Sequence, residues 1–386
     1  MKVLLVAGAR PNFMKVAPVL AQLRRAGEKP VLVHTGQHYD SALSDAFFHD
    51  LGLPAPDHHL GVGSGSHAAQ TARIMESFEP VLLAERPDWV VVVGDVNSTI
   101  ACALVSAKLE AETGSRIAHV EAGLRSRDWR MPEEVNRVLT DRLSHLLLTP
   151  SPDAVQNLVA EGIPEDRVVF VGNVMIDALF AHLERARNVG IRDRLGLDGE
   201  YVVVTLHRPS NVDDLESLSV ILDALSAIAA ERTVVWPVHP RTRARMREFG
   251  LADRAARLKT VEPIGYVDML ALVDGAAAVL TDSGGLQEET TALGVPCLTL
   301  REQTERPVTI THGTNRLAPW PLEVEGILSA FADTIGQGRV GVGERCPPGW
   351  DGHAARRIVE ALQARRHIAV DMSARSAASI LSSAGV

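Results

Sequence analysis

Only three cysteines occur in 386 residues, Cys102, Cys297 and Cys346, and they lie far apart. That scarcity excludes a disulfide framework, and the spacing matches no zinc knuckle. Cys102 and Cys297 sit in apolar surroundings and read as small core residues. Positive charge is not in excess either: 39 Lys and Arg stand against 48 Asp and Glu, a formal net charge of −9. General affinity for nucleic acid or an anionic membrane is therefore not expected, and a polyanionic ligand needs a locally basic site. No stretch reaches the roughly 18 uninterrupted apolar residues of a membrane span. The opening MKVLLVAGARPNF carries too short an apolar run before Arg10 for a signal peptide and reads as a buried first strand. A reduced, cytoplasmic setting is the expectation. Redox fingerprints are missing as well. Gly336–Gly341 fits G-x-G-x-x-G literally, but it follows a helical pattern and opens no helix; Gly61–Gly65 fails on the same grounds. No cofactor and no metal site are expected.

What is present is an ordinary globular composition, 46% hydrophobic and 23% charged, at a length that suggests two domains. Short β-branched runs alternate with helical patterns. In the first half the runs are Val3–Ala7, Pro30–His34, Trp89–Val93, Arg116–Val120, Leu146–Leu148 and Val168–Val171. In the second they are Tyr201–Leu206, Thr233–Pro237, Leu258–Val261, Ala278–Leu280 and Pro296–Leu300. Such alternation predicts parallel sheets covered on both faces. The expected fold class is α/β, two Rossmann-like domains facing across a cleft. Residues 1–171 form the first domain and 172–352 the second, with a hinge near Arg185–Gly199, a last helix over 353–366 and a loosely ordered tail over 369–386.

Ligands of open parallel sheets bind beyond the C-terminal strand ends, so the residues there matter most. They are Gly8-Ala-Arg10, His34 to His38, Gly94-Asp95 and Glu121 in the first half, then His207-Arg208, His239 and Asp282–Gly285 in the second. Caps or packed histidines explain some of these; strand after strand ending in a titratable group points to a site. His119–Arg137 is densest, with Glu121 leaving a strand, three arginines, and Glu133-Glu134 opening a helix ahead of Arg137. Asp95, Glu121 and Glu133 converge if their strands are neighbours, and crowded carboxylates yield acid–base partners. Arg10 and Lys15 are cationic donors for a phosphate or sugar, although Lys15 equally suits a solvated helix face.

Leu280–Glu289, LTDSGGLQEE, ends an apolar strand in Thr-Asp-Ser and opens a helix with two glycines. Each glycine disfavours a helix by roughly 1 kcal/mol, so their pairing suggests close approach to the backbone. Free N–H groups at a helix start form an anion site. Ser283 adds a hydroxyl, and Glu289 can accept hydrogen bonds from a diol such as a ribose. Asp282 or Ser283 capping the helix is the plainer alternative. Downstream, Glu305 and Arg306 of REQTERP suit a nucleotide or a solvated loop equally.

Together these motifs resemble the non-hydrolysing UDP-N-acetylglucosamine 2-epimerases. The resemblance runs through GARPNFMKVAPV, TGQH, GDVNST, HVEAGLRS, PEEVNR, GNVMIDAL, TLHRPSNVD, PVHP, LTDSGGLQEE, TERP, GTNRL and WDGHAA, over roughly residues 1–365. It implies a GT-B-type fold whose last helix returns to the first domain. It also implies reversible conversion of UDP-GlcNAc to UDP-ManNAc, with elimination of UDP to a 2-acetamidoglucal and re-addition. By motif, Asp95, Glu121 and Glu133 resemble the carboxylates that manage the C2 proton, and His207 the histidine at the diphosphate. Arg10, Ser283, Gly284 and Gly285 match anion contacts, Glu289 the ribose ligand, and Lys15, Arg137 and Arg306 positive groups of the site. A UDP-sugar partner and a homodimer follow from the family. The loop between Glu121 and Glu133 is shorter than in the best-known members, and His207-Arg-Pro-Ser and Tyr39 depart from their pattern near the region of allosteric activation. Rival readings are an epimerase of a related UDP-2-acetamido sugar, in which TEW replaces TERP, a hydrolysing epimerase, a GT-B glycosyltransferase, and a non-catalytic sugar-nucleotide sensor.

Overall fold

A computed structural model describes residues 1–37 and 50–365. It divides into two α/β units: Met1–Asp177 with the chain from Gly352 onward, and Ala178–Asp351.

Among the described residues the first unit is built on seven parallel strands: β1 Lys2–Ala7, β2 Lys29–His34, β3 His58–His59, β4 Trp89–Val93, β5 Arg116–Val120, β6 Leu146–Thr149 and β7 Val168–Phe170. Their order is β3-β2-β1-β4-β5-β6-β7. Leu4, Leu5 and Val90 to Val92 are completely buried, which explains why these strands read as continuous apolar runs: helices cover both faces. Each such aliphatic side chain contributes about 1.5–3 kcal/mol on burial.

The second unit repeats the plan with six parallel strands: β8 Tyr201–Thr205, β9 Thr233–Pro237, β10 Lys259–Val261, β11 Ala278–Thr281, β12 Cys297–Thr299 and β13 Asn315–Leu317, in the order β10-β9-β8-β11-β12-β13. In both sheets the first strand lies inside, flanked by its second and fourth, so each has a switch point where chain direction across the sheet reverses. Register then sets which strand ends are neighbours. Val93 pairs with Val120, placing Gly94-Asp95 beside Glu121. Thr281 pairs with Thr205, placing Asp282 beside the residues that follow β8.

The first crossing between units falls at Asp177–Ala178, inside the helix Val174–Arg187, rather than at 171/172. The polar stretch Arg185–Gly199, expected as a hinge, belongs to the second unit, where Ile191 and Leu197 are buried. Its charges face water, and composition alone does not separate a solvated helix end from a linker. The last helix runs over 354–365 and packs on the first unit. Asp177 accepts from the N–H groups of Ala354 and Ala355, at 3.0 and 2.7 Å. At its other end Arg116 donates to the carbonyl of Arg365 at 2.8 Å. The edge strands β3 and β13 and the helix Val324–Gly336 were not expected. His38, Tyr39 and the tail over 369–386 lie outside the described residues.

Candidate active site

In the first unit, β1 runs through Gly8-Ala9 into the helix Arg10–Arg25. Asn12 ties this turn down. Its Oδ1 accepts from the N–H groups of Gly8 and Ala9 at 3.1 and 3.0 Å, and its Nδ2 donates to the Val93 carbonyl at 3.0 Å. One helical turn on, Lys15 forms a buried ion pair with Glu121. Glu121 is 7% exposed and holds a left-handed backbone, φ 72°, a conformation that disfavours a side chain by about 1–3 kcal/mol and persists where surroundings enforce it. Gly94 makes the pair possible: a Cβ there would stand 2.9 Å from Lys15 Nζ and 3.3 Å from Glu121 Oε2. Asp95 pairs with Arg137 Nη1 at 2.5 Å. Asn136, from the same helix as Arg137, donates to the Asp95 carbonyl at 2.8 Å.

The structure distinguishes the two adjacent glutamates at the start of the helix Pro132–Leu143. Glu133 is half-buried and makes no ion pair among the described residues. Glu134 is 2% exposed. It accepts from the N–H groups of Ser126 and Arg127 at 2.9 and 2.8 Å, and from Arg137 Nη2 at 2.6 Å. Burial by itself would raise its pKa, but these donors together hold it below the usual carboxylate range. Glu134 therefore fastens the loop after β5 to the arginine that holds Asp95. The side chain of Arg10 lies outside the described part of the structure; its backbone opens the first helix.

In the second unit the centre is Asp282, fully buried after β11. The alternative that Asp282 caps the following helix is corrected here: its carboxylate reaches sideways to the end of β8. It accepts from the His207 and Arg208 N–H groups at 3.0 and 2.9 Å, from Asn211 Nδ2 at 3.2 Å, and pairs with His207 Nδ1 at 3.0 Å. Burial would raise its pKa, yet His207 and the two N–H groups keep it lowered. This contact orients the ring: Nδ1 faces the carboxylate and Nε2 stands on the far side, on a ring 43% exposed.

Ser283 occupies the N-cap position of the helix Gly284–Leu293 without a side-chain capping bond. The two glycines differ in purpose. A Cβ at Gly284 would stand 2.8 Å from Arg306 Nη1, whereas one at Gly285 meets only Ser283 Oγ, at 4.0 Å. Gly284 thus admits the Arg306 guanidinium, which Glu288 holds through Nε at 2.7 Å. Glu305 is buried between Arg301, at 2.8 Å, and Arg208, at 3.6 Å. Burial would raise its pKa; Arg301, Arg306 and Arg208 hold it far below the usual range. Glu289 is 6% exposed, and burial together with the Glu288 charge pushes its pKa up to about 8. A carboxyl of this kind suits a neutral donor such as a hydroxyl.

The family model for UDP-N-acetylglucosamine 2-epimerase matches residues 21–363. The chain belongs to that family. Among curated members of the 2-epimerase family, the UDP-N-acetylglucosamine 2-epimerase of Methanocaldococcus jannaschii is 42% identical over 82% of this chain and 88% of its own. The UDP-2,3-diacetamido-2,3-dideoxy-D-glucuronate 2-epimerase of Pseudomonas aeruginosa is 40% identical over 87% of this chain and 94% of its own. The crystal structure of the M. jannaschii UDP-GlcNAc 2-epimerase in complex with UDP-GlcNAc and UDP superposes with a TM-score of 0.85 at 39% identity, covering 94% of this chain and 99% of that one. A sucrose-phosphate synthase from Thermosynechococcus elongatus, 13% identical with a TM-score of 0.58, shares the fold alone. The fold class is accordingly two Rossmann-like α/β domains of the GT-B kind.

Within this 2-epimerase family member, the structure groups Lys15 with Glu121, and Asp95 with Arg137, at adjacent strand ends. It groups His207 with the Asp282 turn, and Arg306 with Gly284. It places Glu133 on the same helix as Arg137 but in neither ion pair. Sequence reasoning missed Glu134, Asn12 and the Asp282–His207 pair as organisers of the site. The last had a signal: two apolar strands, one ending in Asp and the other in His-Arg, whose pairing only the sheet order reveals.

Proposed function

We propose that this chain catalyses the reversible, non-hydrolysing epimerisation of UDP-GlcNAc to UDP-ManNAc, an isomerase reaction. The observation that carries the reading is a division of labour. The strand ends of the first unit hold carboxylates paired with cations, Asp95 with Arg137 and Glu121 with Lys15. Those of the second hold an oriented histidine beside a glycine-rich helix start.

The hydrogen at C2 of the sugar is not next to a carbonyl, so simple enolisation is closed to it. In the proposed route a carboxylate among Asp95, Glu121 and Glu133 removes that proton as the C1–O bond to UDP breaks, leaving 2-acetamidoglucal. UDP then re-adds at C1 while C2 is protonated from the other face. The departing diphosphate is stabilised by an Nε2–H of His207, by Arg306, Arg10 and Ser283, and by the N–H groups of Gly284 and Gly285 at the helix start. Glu289 takes the ribose hydroxyls. Lys15 and Arg137 hold Glu121 and Asp95 in place. A cytoplasmic homodimer belongs to the same reading; no described helix is long and apolar enough to cross a membrane.

The P. aeruginosa relative favours a second reading, an epimerase of a UDP-2,3-diacetamido uronate. Glu305-Arg306-Pro307, where such enzymes resemble TEW, supports the GlcNAc substrate. Incubation with UDP-GlcNAc in D2O, followed by NMR, separates the cases. UDP-ManNAc is expected, with deuterium at C2 of the recovered sugar nucleotides. Free ManNAc would mean hydrolysis. Silence toward UDP-GlcNAc with turnover of the diacetamido uronate would transfer the reading to that substrate, and turnover only with an added acceptor would make the chain a transferase.

A further inference from the structure

His119 lies on β5, two residues before Glu121, with its side chain completely buried. Its ring spans two elements that the site needs. Nε2 is 2.8 Å from the carbonyl oxygen of Gly94, and Nδ1 is 2.7 Å from Asp141 Oδ1 on the helix Pro132–Leu143. A carbonyl accepts only, so Nε2 carries a hydrogen. Asp141 is itself held in place: its other oxygen pairs with Arg125 Nη2 at 2.8 Å and accepts from the Gly123 N–H at 3.2 Å. The contact between Nδ1 and Asp141 Oδ1 closes the other side of the ring.

The backbone contact matters more than the burial. Gly94 holds φ 65° and immediately precedes Asp95. Its N–H donates to the Val120 carbonyl at 3.0 Å, one residue before Glu121. With His119 Nε2 on its carbonyl, Gly94 is tied to β5 on both sides. The same short stretch thereby positions the Asp95 carboxylate and the floor under the Lys15–Glu121 pair. Charged groups around it are Asp141 and Arg137 from the helix, Arg125 and Glu121 from the loop after β5, Asp95 from the loop after β4, and Lys15 from the first helix.

We propose that His119 is a positioning residue for the epimerisation. Bridging through both ring nitrogens, it clamps Gly94 to Asp141 and so sets Asp95 and Glu121 relative to one another. The inference rests on the reading above that these carboxylates do the chemistry; the hydrogen bonds of the ring are testable without it.

Two measurements decide the matter. The first is NMR of wild-type protein labelled with 13C and 15N, read for coupling from a histidine Nε2–H across its hydrogen bond to the Gly94 carbonyl. One such ring is expected, and its signal should vanish in His119→Gln. Finding no ring Nε2–H coupled to the Gly94 carbonyl overturns the proposal, whether or not the variant folds. The second compares His119→Gln, whose amide reaches toward Gly94, with His119→Asn, which reaches only toward Asp141. In UDP-GlcNAc turnover by folded protein, kcat should fall roughly tenfold in the glutamine variant and roughly a hundredfold in the asparagine variant, with KM within about threefold. Equal losses that follow melting temperature, or unchanged kcat in both, would reduce His119 to a packing residue. Absence of turnover in the wild-type protein would instead count against the epimerase reading and leave the NMR result standing.

Discussion

Glu133 and Glu134 are identical neighbours that the fold treats in opposite ways, and their substitution should separate chemistry from architecture. Glu134 receives two backbone N–H groups and a guanidinium in a buried setting. Glu134→Gln leaves Arg137 with part of its charge uncompensated and should destabilise the protein by about 3 kcal/mol, read by denaturant unfolding. Glu133→Gln should leave stability unchanged and lower kcat by roughly a hundredfold, read by UDP-GlcNAc turnover. Glu289 gives a second test at this scale. Its pKa rises from 4.5 to about 8 on folding, through burial and the charge of Glu288. Between those values the folded state holds more protons than the unfolded one, so stability falls as pH rises through that window. Glu289→Gln should therefore raise the melting temperature at pH 8 more than at pH 5, by roughly 5 °C, while weakening UDP binding in calorimetry. An unchanged difference between the two pH values would show that Glu289 is not buried as a costly charge. Residues such as Glu121 and Asp95 were legible from their places at strand ends. Glu134 was not, because nothing in PEE says which glutamate turns inward.

Among the elements, the strands were legible wherever they are buried on both faces. Val90 to Val92 cannot be a surface segment. The two-residue β3 and three-residue β13, at sheet edges, carry His-His and Asn-Arg-Leu and have no such signature. The turn into the helix Gly284–Leu293 was legible as a close approach, but not what approaches. The structure answers for Gly284, against which Arg306 packs, and leaves open space at Gly285. The two glycines should respond differently to alanine. Gly284→Ala should displace Arg306 and raise KM for UDP-GlcNAc about tenfold. Gly285→Ala should leave the fold intact, or stabilise it by up to about 1 kcal/mol through helix propensity, and still raise KM. An unaltered KM in a stable Gly285→Ala protein would remove the diphosphate from this helix start.

At the scale of the molecule, the alternation of strands and helices was enough to read two Rossmann-like domains. The first crossing point was not, because there the chain passes from one unit to the other inside a helix rather than through a Gly- or Pro-rich linker. The helix over 354–365 completes the first unit, burying Ala354, Ile358, Val359 and Leu362. A chain stopped after Gly352 should lose that cover. Expression as insoluble protein, or a first-unit melting transition lowered by more than roughly 10 °C in calorimetry, is the expected outcome.

The carboxylate of Asp177 gives the gene an architecture that its linear order conceals. The last residue of the first passage through unit one holds the first N–H groups of the returning helix. Exit and re-entry therefore lie side by side, and residues 178–351 are a guest inserted at a single point of a continuous host. Replacing the guest with a few glycines should leave a host that folds by itself. The same junction marks where residues 178–351 can be exchanged for another unit without interrupting the strands of the host.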